Sequence, residues 1–357
     1  MADQRGRMST KQRSQDDALL GILLGTAVGD ALGLPAEGLS RARIRALGWH
    51  PWRHRLVFGR GMISDDTQHT VFVAQAWLES EGEAEIFKRV LLCKLRYWIL
   101  GGPAGVGFAT MKALLKSWVG FPAARCGVFS AGNGPAMRSA ILGALVEEDQ
   151  LAEWIAGNTV ITHTDPKAFF GALAVARCVQ CRDSPNDIPQ KLSALGPEDA
   201  VWQDLVALMQ KGRENQWDVD TFASAMGCDQ QVSGYVYQTV PIAIYAWLHH
   251  WGDFEAAITQ VLNCGGDTDS VAAITGALAG SVTGVQGIPG PWLNGLCDWP
   301  IGTSYLKSLA SHLANETSGR HTHFWPGTLL RNIVFTSIVL THVLLRVTVY
   351  PWLRKKT

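Results

Sequence analysis

Glycine recurs every fourth residue in two apolar stretches, at Gly21, Gly25 and Gly29 in one and at Gly276 and Gly280 in the other. A four-residue step returns to nearly the same side of a 3.6-residue helix. A stripe that lacks side chains lets helices approach closely. Such stripes commit the chain to tightly packed helices. The remaining patterns agree. Val201, Leu205 and Leu208 recur at i, i+4 and i+7. Glu85, Ile86, Val90 and Tyr97 build a second face, with acids at its start and Lys94 and Arg96 later, as the helix dipole prefers. No sustained β-alternation occurs, and no hairpin dipeptide lies between alternating runs. Hydrophobic residues make up 47% of the chain and charged residues 17%, enough apolar material for a large buried core. The expected fold class is all-α, a compact helical domain.

The 357 residues allow one large domain or two, and no shift in composition separates two halves. Residues 1–15 read as a polar, disordered tail without the apolar run of a signal peptide. Residues 16–314 read as the main domain, 315–328 as a linker and 329–357 as an apolar, amphipathic helix. The stretch from Leu329 to Leu353 is long enough to span a bilayer. Arg331, Asn332, His342 and Arg346 interrupt it. An arginine near the centre of a spanning helix costs roughly 2.5–3.5 kcal/mol. Arg331, His342 and Arg346 fall near one side of a helix, so an amphipathic element is expected. It has three places to go: the body of the protein, another chain or a membrane surface. All the chemical motifs end by Ser270, so this tail reads as separable from catalysis.

Lys plus Arg and Asp plus Glu number 31 each, which leaves no basic excess for nucleic-acid binding. Seven cysteines form no framework. Cys178 and Cys181 stand in an apolar helical run and read as buried thiols rather than metal or redox groups. This usage fits a reducing cytoplasm, with peripheral membrane contact through the tail left open.

Two short segments carry the chemistry. Ser64-Asp65-Asp66-Thr67 and Gly265-Gly266-Asp267-Thr268-Asp269-Ser270 each place two carboxylates and hydroxyl oxygens just before an apolar run, with no Lys or Arg among them. Ser, Thr and Asp are preferred helix N-caps, and acids suit the positive end of the dipole. One cap needs only one side chain, however, and both segments exceed that. If they meet, each close carboxylate pair repels by roughly 4 kcal/mol at ~4 Å and an effective dielectric of ~20. An all-oxygen donor set suits a hard divalent ion, Mg²⁺ or Mn²⁺, better than zinc. A third segment, Gly132-Asn133-Gly134, precedes another apolar run. Glycines there would let backbone amides face an anion such as a pyrophosphate, although Asn-Gly is also a common turn.

These segments occur in a fixed order with two more, Gly25-Thr-Ala-Val-Gly29-Asp30-Ala-Leu-Gly33-Leu-Pro-Ala-Glu37 and Thr162-His163-Thr164-Asp165-Pro166. Over roughly residues 18–315 the series resembles the ADP-ribosylglycohydrolase family. The resemblance implies an orthogonal helical bundle with two Mg²⁺ or Mn²⁺ ions. Its metal ligands would be Ser64, Asp65 and Asp66 with Asp267, Asp269 and Ser270. The last is more often Thr in the family, and Ser keeps the hydroxyl. Glu37 matches a glutamate beside the metals, and Glu37 or Asp66 would shuttle the proton. Gly132, Asn133, Gly134 and His163 match substrate-contacting positions. Phe129 is a candidate to stack on adenine, and Arg138 either meets phosphate or pairs internally. The implied activity is metal-dependent glycosidic cleavage at the anomeric carbon, releasing ADP-ribose from a modified side chain or a small conjugate. Two alternatives stay open: a non-catalytic ADP-ribose binder or structural member of the fold, and a two-metal nucleotide phosphohydrolase.

Overall fold

A computed structural model describes residues 10–315 and 320–348, with side chains over 15–315 and 320–344. The described residues form nineteen α-helices and two short 3-10 helices, joined by loops with isolated bridges and no β-sheet. Six helices matter most for the site: α1 (Thr10–Gly33), α2 (Asp65–Glu79), α3 (Ala84–Leu100), α4 (Val236–His249), α5 (Thr268–Thr283) and α6 (Trp325–Thr348).

The glycine stripes explain how α1 and α5 meet. A Cβ on Gly21, Gly25, Gly29 or Gly33 would overlap the carbonyl of Gly280, Gly276, Ala272 or Thr268, respectively. The two helices are therefore antiparallel and touch backbone to backbone. At the end of the stripe the Thr268 hydroxyl donates to the Gly33 carbonyl at 2.8 Å. This register sets the last turns of α1 against the first turn of α5, next to both acidic segments. One large apolar cluster surrounds the pair, and α1 is buried along most of its length.

Two helical faces differ from expectation by about one residue. On α3 the buried side chains are Phe87, Leu91, Leu92, Leu95 and Trp98, while Tyr97 is 54% exposed. On helix Ala200–Glu214 they are Trp202, Val206 and Met209, while Val201 is 48% exposed. In each case an indole N–H finds an acceptor on another element. Trp98 donates to Gln68 Oε1 at 2.6 Å and Trp202 to the Leu192 carbonyl at 2.9 Å. Buried indoles need such partners, and the periodicity of one helix does not contain them.

The segment expected as a polar tail is already helical from Thr10, and residues 1–9 lie outside the described residues. The expected linker is shorter, because α6 starts at Trp325; residues 316–319 and 349–357 are likewise outside the description. The tail helix also docks differently from a simple amphipathic element. Its contact with the body combines an apolar cluster, Phe335 with Leu34, Leu56 and Met62, with a set of buried polar groups. Arg331 is buried and donates to Asp298 at 2.6 and 3.0 Å, to Asn332 Oδ1 at 3.1 Å and to the Ile63 carbonyl. Its guanidinium lies 4.0 Å from the centre of the Phe335 ring. Asn332 donates to the Gly101 carbonyl at 2.9 Å. A buried charge is tolerated where its partner and its remaining donors are satisfied, and Arg331 meets that condition. Asp298 also accepts the Ile63 N–H at 3.0 Å, so the pair grips both polar groups of the residue before Ser64.

Candidate active site

The first acidic segment opens α2. Ser64 is its N-cap, and its hydroxyl both accepts from the Asp66 N–H at 3.4 Å and donates to Asp66 Oδ2 at 3.1 Å. Asp30, on α1, holds this turn from behind. Its carboxylate is fully buried and accepts the Ser64 N–H at 2.8 and 2.9 Å, the Thr67 N–H at 3.1 Å and the Thr67 hydroxyl at 2.5 Å. Asp30 thus positions the Ser64–Thr67 turn, a role that the sequence pattern did not assign to it. The signal was present, since an acid inside an apolar helix must find buried donors.

The second segment opens α5. Gly265 and Gly266 have φ of +69° and +85°, and a Cβ on either would strike the backbone of Leu39 or Val232. Only glycine fits this double turn. Backbone bonds then tie it to the loop after α1: Gly38 N–H to the Gly266 carbonyl and Gly266 N–H to the Leu39 carbonyl, both at 2.8 Å. Glu37, exposed at the rim, is thereby held beside the second motif. Asp267 accepts from Asn133 Nδ2 at 2.6 Å, and the Ser270 hydroxyl faces both Asp66 and Asp267. The two acidic segments do meet.

Together they floor a cleft of about 710 Å³ lined by Glu37, Asp65, Asp66, Asp267, Asp269 and Ser270, with Gly132, Asn133, Gly134 and His163 on another wall. Burial, followed by mutual repulsion, drives the carboxyls upward. Asp65 rises to about 8, and Asp66 and Asp269 stand well above the usual carboxylate range. Asp267 is raised by burial against the bonds it accepts, and Asp30 is pushed up to about 6. Asp66 Oδ1 is buried with no hydrogen-bond partner. Among the described residues no three His, Cys, Asp or Glu side chains converge closely enough to hold an ion as they stand. The oxygen-only donor set, the uncompensated charge and the orphaned Asp66 oxygen fit a hard divalent cation.

The glycine loop and His163 form one unit. The buried His163 ring packs so closely on Gly132 and Gly134 that a Cβ on either would come within 3.0 or 3.1 Å of it. Burial, with Arg138 nearby, lowers His163 to about 3 and keeps it neutral. The helix after the loop, Gly134–Met137, is one turn long, so it adds little dipole; the Asn133 amide already donates to the Gly234 carbonyl at 3.0 Å. Arg138 pairs internally. Fully buried, it donates to Asn158 Oδ1 at 2.7 Å, the Asn158 carbonyl at 2.8 Å and the Thr162 hydroxyl at 2.9 Å. Burial pulls Arg138 down to about 9, opposed by the Asp65 charge, so it is a cation behind the acidic floor. Phe129 projects into solvent at the cleft edge.

The sequence profile described as ADP-ribosylglycohydrolase matches residues 11–323. The chain belongs to the ADP-ribosylglycohydrolase family. It is 32% identical over 304 residues to an uncharacterised protein of Archaeoglobus fulgidus, covering 82% of this chain and 94% of that one. It is 27% identical to the ADP-ribosyl-[dinitrogen reductase] glycohydrolase of Rhodospirillum rubrum, covering 79% and 91% of the two chains. An ADP-ribosylarginine hydrolase of Pseudomonas putida is also 27% identical, with 83% and 78% covered. A solved structure titled ADP-ribosylglycohydrolase-related protein complex shares the fold, with a TM-score of 0.61 and 24% identity over 85% of this chain and 99% of that one. Helix α6 lies beyond the segment that the family profile matches.

Proposed function

We propose that this protein is a metal-dependent hydrolase that cleaves a glycosidic linkage at the anomeric carbon of ADP-ribose, on a modified protein side chain or a small conjugate. Membership in the family supports ADP-ribosyl hydrolysis in general terms. The observation that carries the reading is the meeting of Asp65 and Asp66 with Asp267, Asp269 and Ser270 on the floor of a cleft whose other wall is the Gly132–Gly134 loop. Those five residues, with the buried Ser64 beside Asp66, would hold two Mg²⁺ or Mn²⁺ ions. When bound, such ions polarise sugar hydroxyls and lower the pKa of water. Asp30 and the Ile63 grip hold the first ligand segment in place. Asn133 orients Asp267 through its amide. The loop at 132–134 and neutral His163 form the wall against which the diphosphate would lie. Glu37 at the rim, or Asp66 on the floor, would take a proton from water and return one to the departing group as positive charge develops at the anomeric carbon.

The test is a panel of defined ADP-ribosylated substrates, arginine-, serine- and nucleobase-linked, assayed with Mg²⁺, Mn²⁺ or EDTA for release of ADP-ribose. Release from at least one substrate, abolished by EDTA and by Asp267→Asn, is expected. Binding of ADP-ribose without turnover of any linkage would favour the non-catalytic alternative. Turnover by rigorously metal-free protein would remove the ions from the reading.

A further inference from the structure

Helix α6 turns an apolar stripe toward solvent. Leu330, Ile333, Leu340 and Leu344 are each about 60% exposed. Their spacing places them on one side of the helix, with Ser337 and Thr341 between them. Both hydroxyls donate to the helix's own carbonyls, Ser337 to Ile333 at 2.9 Å and Thr341 to Ser337 at 2.8 Å. The stripe therefore offers hydrocarbon and already-bonded hydroxyls only. The other long apolar helix behaves as a soluble core helix should: Gln15–Ala36 is 89% buried, against 28% for Trp325–Leu344.

Charge decides what covers the stripe. Residues 320–357 contain six Arg or Lys and no Asp or Glu; Arg331 is buried against Asp298, which leaves five cations without an acidic partner in the segment, in a chain that balances to zero. Four of the six, Arg346, Arg354, Lys355 and Lys356, fall within the last twelve residues. A second copy of the helix laid on the first would leave these charges unmatched, because the segment has no acidic residue to offer its partner. An anionic surface matches instead. Aromatic residues, which favour the headgroup level of a bilayer, occur toward both ends: Phe324 and Trp325 are exposed before the stripe, and Tyr350 and Trp352 follow it in sequence. The opposite side of α6 stays with the body through the Arg331–Asp298 pair, an arrangement that suits lying on a membrane rather than crossing it.

We propose that α6 docks this protein on the surface of an anionic phospholipid bilayer, the stripe from Leu330 to Leu344 entering the headgroup–acyl boundary and the basic residues after it meeting lipid phosphates. The inference is independent of the hydrolytic reading. It is tested by co-sedimenting the full chain with phosphatidylcholine vesicles and with vesicles containing phosphatidylglycerol. Pelleting with the anionic vesicles is expected, with much weaker pelleting on phosphatidylcholine and partial release in high salt. Ile333→Asn/Leu340→Asn, at exposed positions, should abolish pelleting without changing the circular dichroism spectrum. Replacing Arg354, Lys355 and Lys356 by Gln should weaken binding to anionic vesicles on the order of a hundredfold, at about fivefold per basic residue. The proposal is overturned if the intact chain stays in the supernatant with both vesicles. A stable dimer in light scattering, dispersed by Ile333→Asn/Leu340→Asn, would then assign the stripe to a second copy. Binding that survives high salt and the triple Gln replacement undiminished would also overturn it, because charge would play no part.

Discussion

Replacing Gly25 by Ala sets two physical terms against each other with opposite signs. Gly25 lies inside α1 and faces Gly276 on α5. On helix propensity alone, alanine stabilises such a position by roughly 0.8–1 kcal/mol. Packing argues the reverse. The new Cβ would overlap the Gly276 carbonyl oxygen, sit 2.8 Å from its carbon and reach the Phe254 ring at 3.2 Å. A backbone carbonyl cannot swing aside as a side chain can. The helices must part by about an ångström before the contact becomes ordinary, and close-packed flanking residues lose contact as they do. Overpacking costs typically ~1–3 kcal/mol, and the rigid obstacle selects the upper part of that range. After the propensity gain, a net loss of about 1–2 kcal/mol remains, or roughly 2–8 °C in Tm for a domain of this order of size. Gly157 is the control. It is helical as well, but a Cβ there meets nothing nearer than Lys88 Cβ at 3.7 Å, an ordinary contact. Gly157→Ala should therefore raise Tm while Gly25→Ala lowers it, read by urea and thermal unfolding of both variants beside the parent. If Gly25→Ala stabilises as much as Gly157→Ala, α1 and α5 do not touch backbone to backbone, and the reasoning that locates the site fails with them.

Metal-free protein should lose thermal stability as pH rises from 5 to 8.5. Asp30 and the floor carboxyls have folded pKa values raised above their unfolded ones, so their contribution is complete below about 4 and disappears as pH passes about 6 for Asp30 and about 8 for Asp65. Added Mn²⁺ should raise Tm more at pH 8 than at pH 5, because the ion needs deprotonated ligands; a flat metal-free profile would show that the carboxyls are not desolvated together. Arg331→Met should cost about 3–5 kcal/mol in urea unfolding, since it strands the buried Asp298 carboxylate. It should also weaken metal binding through Ile63, and Asp298→Asn in the same chain should restore part of the stability. Unchanged stability and metal affinity would show that the pair does not hold α6 or the start of α2.

How much of this was legible in the sequence depends on whether the decisive partner was local. The acidic segments could be read because each carries more carboxylate than a cap uses, and that excess is visible within four residues. The all-helical character was equally plain. The helical faces at Tyr97 and Val201 were misplaced because a chain this apolar offers two adjacent stripes, and Trp98 and Trp202 settle the choice through acceptors on other elements. The role of Arg331 could not be read from its own helix, where it looked like part of a solvated side; its partner Asp298 lies 33 residues away. The glycine stripes fall between these cases. Their spacing announces a close neighbour but does not say which, because a bare stripe specifies the shape of the opposing surface and not its identity. Once Gly21, Gly25, Gly29 and Gly33 are paired with Gly280, Gly276, Ala272 and Thr268, little freedom remains. Asp30, one residue after Gly29, is then carried to the end of α1 that meets the first turn of α5. There it takes the amides of Ser64 and Thr67, and α2 is drawn in beside Asp267 and Ser270. The meeting of the two acidic segments thus follows from a register set by residues without side chains.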